Sequence, residues 1–102
     1  MTWSETKRRW TIMREIEDLF LADPGADLPW TEEYAELFGD LEHLVTALRY
    51  RWQLTRDAQL DSYAPEPAWD EQHARVEQRT RALLQILDRA AARAQGGDRA
   101  AA

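Results

Sequence analysis

The chain has no cysteine in its 102 residues. That excludes a disulfide framework, a thiolate metal site and a cysteine nucleophile. Serine is nearly as scarce. Ser4 and Ser62 are the only two, and neither sits in the glycine-flanked elbow of a serine hydrolase. Glycine occurs four times, with no Gly-rich phosphate loop, and no HExxH or EF-hand pattern is present. No apolar run approaches the roughly 20 residues that a membrane-spanning helix needs. The opening MTWSETKRRW carries charge with no apolar run behind it, so a cytoplasmic chain without a signal peptide is expected. Lysine appears once, as Lys7, against twelve arginines. With many alanines, that bias suggests a GC-rich bacterial coding sequence.

What is present suits a small folded domain. Hydrophobic residues make up 44% of the chain and charged residues 31%, which fits a globular fold better than disorder. A core is possible at this length, but a modest one. One domain is expected over residues 1–94, with a flexible tail at 95–102. Breaking residues are sparse. ADPGADLPW (22–30), Gly39-Asp40, DSYAPEPAW (61–69) and QGGDRAAA (95–102) punctuate a chain that otherwise reads as helix. Gly39 suits a left-handed C-terminal cap and Asp40 an N-cap. Helices are therefore expected near 4–22, 32–38, 41–62 and 67–94, with no strand and no internal repeat.

Periodicity assigns the faces. In the last helix Trp69, His73, Val76, Thr80, Leu83, Leu87, Ala90 and Ala94 recur at spacings of four and three, widened by Leu84 and Ile86. Leu41, Leu44, Val45, Leu48, Trp52, Thr55 and Gln59 form the stripe of the third helix. Ile12, Met13, Ile16, Leu19 and Phe20 form that of the first. Two long helices joined by a Pro-rich turn should pack antiparallel, with the first helix covering the remaining groove. The expected fold is all-α: an antiparallel three-helix bundle with one additional short helix.

ALRYRWQLTRD (47–57) packs three arginines and two aromatics into eleven positions. At about 100° per residue they spread around the helix. Trp52 faces the core, Tyr50 points away from it, Arg49 and Arg56 share one flank, and Arg51 occupies the other. TEEYAELFGDLEHLVTALR (31–49) has the spacing of a helix-turn-helix, and FGDLEHLVTALRYRW is similar to the start of the fourth helix in TetR-type regulators. This likeness spans under a fifth of the chain, and Asp40 stands where an apolar residue is usual. It implies a DNA-binding regulator.

Charge layout argues against that implication. From Glu15 to Leu48 there are ten acidic residues and no Lys or Arg. The candidate reading helix starts inside this segment, where phosphate contacts need positive charge. Glu32, Glu33 and Glu42 suit the first turns of helices. Glu15, Glu17 and Asp18 do not, and Arg49, Arg51 and Arg56 are their expected partners. Glu32, Glu33 and Glu36 would remain free to steer a basic partner.

Asp40-x-x-His43 and Asp70-x-x-His73 loosely resemble di-metal bundle motifs, but they fall at opposite ends of an antiparallel hairpin and cannot share an ion. No metal, cofactor or catalytic residue is expected. Five tryptophans remain to be placed. Trp52 and Trp69 fit the core, and Trp30 can staple the second helix. Trp3 and Trp10, seven apart, form a stripe of their own beside Lys7 and Met13, as inner packing or as an exposed anchor. The function expected is a small non-enzymatic protein-interaction module, possessing a protein partner or forming a homodimer. The interaction candidates are Trp3, Trp10, Glu32, Glu33, Glu36, Arg49, Tyr50, Arg51 and Arg56. The alternatives are a helix-turn-helix DNA-binding regulator and a small-ligand-binding bundle.

Overall fold

The computed structural model describes residues 2–60 and 66–101. It is an all-α bundle of four helices: α1 (Trp3–Ala22), α2 (Glu32–Phe38), α3 (Leu41–Leu60) and α4 (Glu66–Ala101). None of them is long and apolar enough to cross a membrane, among the described residues.

Local chemistry sets the boundaries. Thr2 and Glu5 form a reciprocal capping box at the start of α1, each side chain accepting the other's backbone N–H. Asp23-Pro24-Gly25-Ala26 then makes a turn. The Ala26 N–H donates to the Asp23 carbonyl at 3.0 Å, and the Gly25 N–H donates to the Asp23 side chain at 3.1 Å. Asp opening a turn and Pro second in it is a favoured pairing. The Thr31 hydroxyl accepts the Tyr34 N–H to open α2, and the Asp40 carboxylate accepts the His43 N–H to open α3.

Gly39 alone links α2 to the Asp40 cap. Its φ is +92° and its ψ −71°, which is closer to a γ-turn than to the left-handed helical cap the sequence suggested. A Cβ placed there would meet only His43 Nδ1, at 3.7 Å. The demand for glycine is thus one of backbone conformation, not of space.

The end of α4 differs from expectation. The helix was expected to stop near residue 94 but continues to Ala101. A glycine stops a helix by turning left-handed, and Gly96 does not, since Gly39 is the positive-φ glycine here. Without that turn the alanines and Arg99 favour helix enough to carry it onward. At 1.5 Å per residue a helix of 36 residues spans about 54 Å, and the molecule's longest dimension is 53 Å.

The core lies where three stripes meet. Ile12, Met13, Ile16 and Phe20 come from α1, Leu44, Leu48 and Trp52 from α3, and Thr80, Leu83, Ile86, Leu87 and Ala90 from α4. Leu28 from the loop and Tyr34 and Phe38 from α2 close one end. The stripes expected on α3 and α4 narrow toward their ends. Leu41, Val45, His73, Val76 and Ala94 are half-buried, and Leu19, Thr55 and Gln59 are exposed. The core assignment of Trp69 falls outside the described side chains. Trp30 packs edge-on to Tyr34 with ring centroids 6.4 Å apart, anchoring the start of α2 one position earlier than a hydrophobic staple would.

α3 and α4 run antiparallel, as Arg49 beside Asp88 and Thr55 beside Thr80 show. α1 packs against α4 and α2, with fewer close backbone approaches to α3. Large side chains fill the α1–α3 seam. Phe20 and Trp52 meet edge-on at 6.3 Å inside it.

Trp52, 2% exposed at the centre of this arrangement, should cost about 3–5 kcal/mol when changed to Ala. Exposed Tyr50, two positions earlier, should cost no more than about 0.5 kcal/mol. Denaturant melts that reversed this order would show that the helical phase of α3 is wrong. Gly39→Ala should cost about 1–3 kcal/mol through backbone strain alone. The same melts check it, and an unchanged midpoint would mean the link can relax.

Candidate functional site

The wide seam between α1 and α3 opens onto the surface. On α1, Trp3, Lys7, Trp10 and Arg14 follow one another at spacings of four, three and four, so they form a single stripe. On α3, Tyr50, Arg51 and Leu54 face the same seam. Trp3, Trp10, Tyr50 and Leu54 are 72%, 61%, 67% and 54% exposed.

Two shallow grooves share Trp10 and Arg51 as walls. One, of about 400 Å³, runs between Trp3, Lys7 and Arg14. The other, of about 320 Å³, is bounded by Arg9, Met13, Tyr50 and Leu54. No Asp or Glu lines either. The cations lie on ring faces: Lys7 Nζ is 5.3 Å from the Trp3 centroid, Arg51 Cζ 5.2 Å from that of Trp10, and Arg9 Cζ 4.9 Å from that of Phe38. Such stacking holds a guanidinium flat without neutralising it. Among the described residues Lys7, Arg14 and Arg51 form no ion pair.

The structure therefore brings together Trp3, Trp10, Tyr50 and Arg51 of the sequence candidates. Tyr50, expected to point away from the core, and Arg51, expected on one flank, line one groove with Trp10, and Arg51 stacks on the Trp10 ring. The other candidates lie elsewhere. Arg49 is paired with Asp88 on α4, and Arg56 with its neighbour Asp57 at 3.1 Å. Glu32 and Glu36 are exposed on α2.

The partners expected for the acids of α1 are not the ones found. Glu17 lies 3.8 Å from Arg79 on α4, and Glu15 lies 3.9 Å from Arg8, two turns earlier on α1 itself. Arg49, Arg51 and Arg56 are engaged elsewhere because α3 presents them to α4, to Trp10 and to Asp57. Nor does Glu33 belong to a free acidic face. Arg8 donates to it through Nε at 3.0 Å and through a terminal nitrogen at 2.8 Å, tying α1 to α2. Arg93 on α4 clasps the loop in the same manner, donating to Asp27 at 3.1 Å and to the Ala26 carbonyl at 2.9 Å.

A third groove, also open to solvent, lies where α1, α3 and α4 converge. It measures about 260 Å³ and is walled by Arg14, Glu17, Arg51, Thr55, Gln59 and Arg79, with Trp52, Thr80 and Leu83 at its base. The Trp52 indole nitrogen is buried and has no hydrogen-bond partner. An orphaned buried donor of this kind costs about 1–3 kcal/mol.

Sequence reasoning set Lys7 beside the Trp3–Trp10 stripe but did not single out Arg9, Arg14 and Leu54 on the outer face. The spacing that carries Trp3, Lys7 and Trp10 on to Arg14 was a usable signal. No protein-family model matches the chain, and no curated protein or solved structure does.

Two carboxylates titrate below their ordinary range. The bidentate bonds from Arg8 lower Glu33, and the His43 backbone N–H lowers Asp40. The folded state thus binds fewer protons than the unfolded chain near these values. The stability Glu33 contributes is complete at neutral pH and is lost as pH falls below the ordinary carboxylate value of about 4. Glu33→Gln should therefore lower the melting temperature at neutral pH and converge with the parent protein in strong acid. A gap independent of pH would show that the Arg8 bridge contributes through packing and not through charge.

Proposed function

We propose that this chain is a small, non-enzymatic interaction module that docks an acidic, apolar segment of a partner protein on the α1–α3 face. The observation carrying this reading is the grouping of Trp3, Trp10, Tyr50 and Leu54 on one surface whose only charged groups are cationic, in a chain of net charge −6. Exposed apolar side chains are ordinary when scattered and informative when contiguous. Tryptophan, tyrosine and arginine are also the residue types that dominate binding energy at interfaces.

Charge complementarity selects the partner. A segment bearing Asp or Glu among large apolar residues would meet unpaired Lys7, Arg14 and Arg51 at the rim and the rings at the centre. A symmetric dimer through this face would set those same cations against their copies, which opposes homodimerisation there. The basic partner expected for α2 loses one of its three expected contacts, since Glu33 is already paired with Arg8. DNA binding is also opposed. α2, Gly39-Asp40 and α3 do follow the outline of a helix-turn-helix, but the first turns of α3 present Asp40 and Glu42 where a reading helix meets the duplex.

The test is a titration with a synthetic peptide alternating Glu with Leu and Phe, beside a control in which Lys replaces Glu. The acidic peptide should bind, more weakly as salt rises, and Trp10→Ala should lose about tenfold or more in affinity. Equal binding of the Lys control, or an unaffected Trp10→Ala variant, would refute the docking face. Sedimentation showing a dimer that Trp10→Ala dissolves would replace the acidic partner with a second copy of the chain.

A further inference from the structure

Trp3, Lys7, Trp10 and Arg14 are all exposed, and their spacings of four, three and four are those by which one helix meets another. In heptad terms the two tryptophans occupy d positions and the two cations a positions. The groove along this stripe adds only Thr6 and Thr11 from α1, which are the flanking g and e positions, and Arg51 from α3. Ile12, Ile16 and Phe20, which α1 gives to the core, lie on another side of the helix at about 100° per residue. α1 therefore has two separate helix-packing faces, and the bundle covers one of them.

The floor of the groove offers nothing to an extended chain. The Thr6 hydroxyl donates to the Thr2 carbonyl at 3.1 Å, and the Thr11 hydroxyl to the Lys7 carbonyl at 3.0 Å. The backbone of α1 is bonded within its own helix. A strand laid across the rings would find no partners there for its N–H and C=O groups, whereas a helix bonds its own.

Resting on the docking-face reading above, we infer that the docked segment is an amphipathic α-helix, with carboxylates facing Lys7 and Arg14 and large apolar side chains facing Trp3 and Trp10. Charge complementarity sets its register. Lys7 and Arg14 are seven residues apart and form no ion pair among the described residues. The acids of the partner helix thus recur every seven residues, with apolar residues between them at spacings of three and four. Sliding the helix by half a heptad would set carboxylates over the rings and apolar groups against both cations, which disfavours the wrong register. Trp3 to Arg14 covers about 16.5 Å at 1.5 Å per residue, so two heptads span the stripe. Tyr50 and Leu54, one turn apart on α3 beside Trp10, receive an apolar residue from the flank of the same helix.

Two peptides of identical composition are the probes. One spans two heptads with Glu at both a positions and Leu at the d and e positions, and the other carries the same residues with Glu and Leu alternating. By calorimetry on the full chain the heptad peptide should bind about tenfold tighter or more. A peptide this short is largely unfolded when free. Labelled with carbon-13, its Cα shifts should move to helical values as unlabelled protein is added. Lys7→Glu should weaken the heptad peptide about tenfold, and replacing one of the two peptide Glu residues by Lys should restore the affinity. Lys7 is exposed and stacks on Trp3 outside the core, so this variant leaves the bundle intact. Equal affinity of the two peptides, both weakened by Trp10→Ala, would overturn the helix and leave the docking face standing. Binding by neither peptide would remove both. Cα shifts of an extended bound peptide, or affinity untouched by Lys7→Glu and by Arg14→Glu, would also overturn the helix. So would a dimer of the chain alone that Trp10→Ala dissolves, which would give the stripe to a second α1.

Discussion

Trp52 is the side chain on which the three long helices converge, and its size dictates the arrangement around it. An indole cannot be accommodated between closely approaching helix backbones. α3 therefore lies close to α4, where Leu83, Leu87 and Ala90 offer aliphatic and small surfaces, and at a distance from α1, where Phe20 meets the indole edge-on. The space that results is a seam filled partly by side chains. Its outer mouth becomes the Trp10–Arg51 surface. The same packing constraint also buries an indole N–H away from any acceptor.

Arginine links the elements around that core. Arg8 joins α1 to α2, Arg49 joins α3 to α4, Arg79 joins α4 to α1, and Arg93 joins α4 to the loop. These pairs are largely exposed, so each contributes little to stability. Their geometry matters more, because they fix which turn of one helix stands beside which turn of the next. Set against them, Lys7 and Arg51 of the outer face stack on rings. The contrast within one molecule separates the charges used for assembly from those left available.

Much of the fold was legible because its determinants are local. Thr31, Gly39 and Asp40 announce their caps within three residues, and the four–three spacing of Leu83, Leu87 and Ala90 announces a buried face without reference to any partner. The capping box at Thr2 and Glu5 carried an equally local signal that would have moved the start of α1. What could not be read was anything that depends on which helices become neighbours. The pairing of Glu17 with Arg79 and of Arg8 with Glu33 requires knowing that α1 lies against α4 and α2. Tyr50 and Arg51 looked separate on a helical projection because that projection contains no Trp10 from α1 to complete their groove. The groove walled by Arg14, Arg51 and Arg79 draws on three helices, and no one of them carries its pattern. The continuation of α4 departs from the break expected at QGGDRAAA because Gly96 keeps a helical backbone.

The separation of α1 from α3 also governs how the molecule comes apart. α3 and α4 pair along their length, whereas α1 is held by Ile12, Ile16 and Phe20, by contacts to α2 and α4, and by fewer close backbone approaches to α3. Graded opening is the expectation, with α1 lifting away while the α3–α4 hairpin persists, as is usual where one element is less tightly integrated than the rest. Amide protons of α1 would exchange with solvent at a lower free energy than those at the centre of α3. The outer face spans α1 and α3, so an occupant would hold one against the other and slow that exchange by mass action.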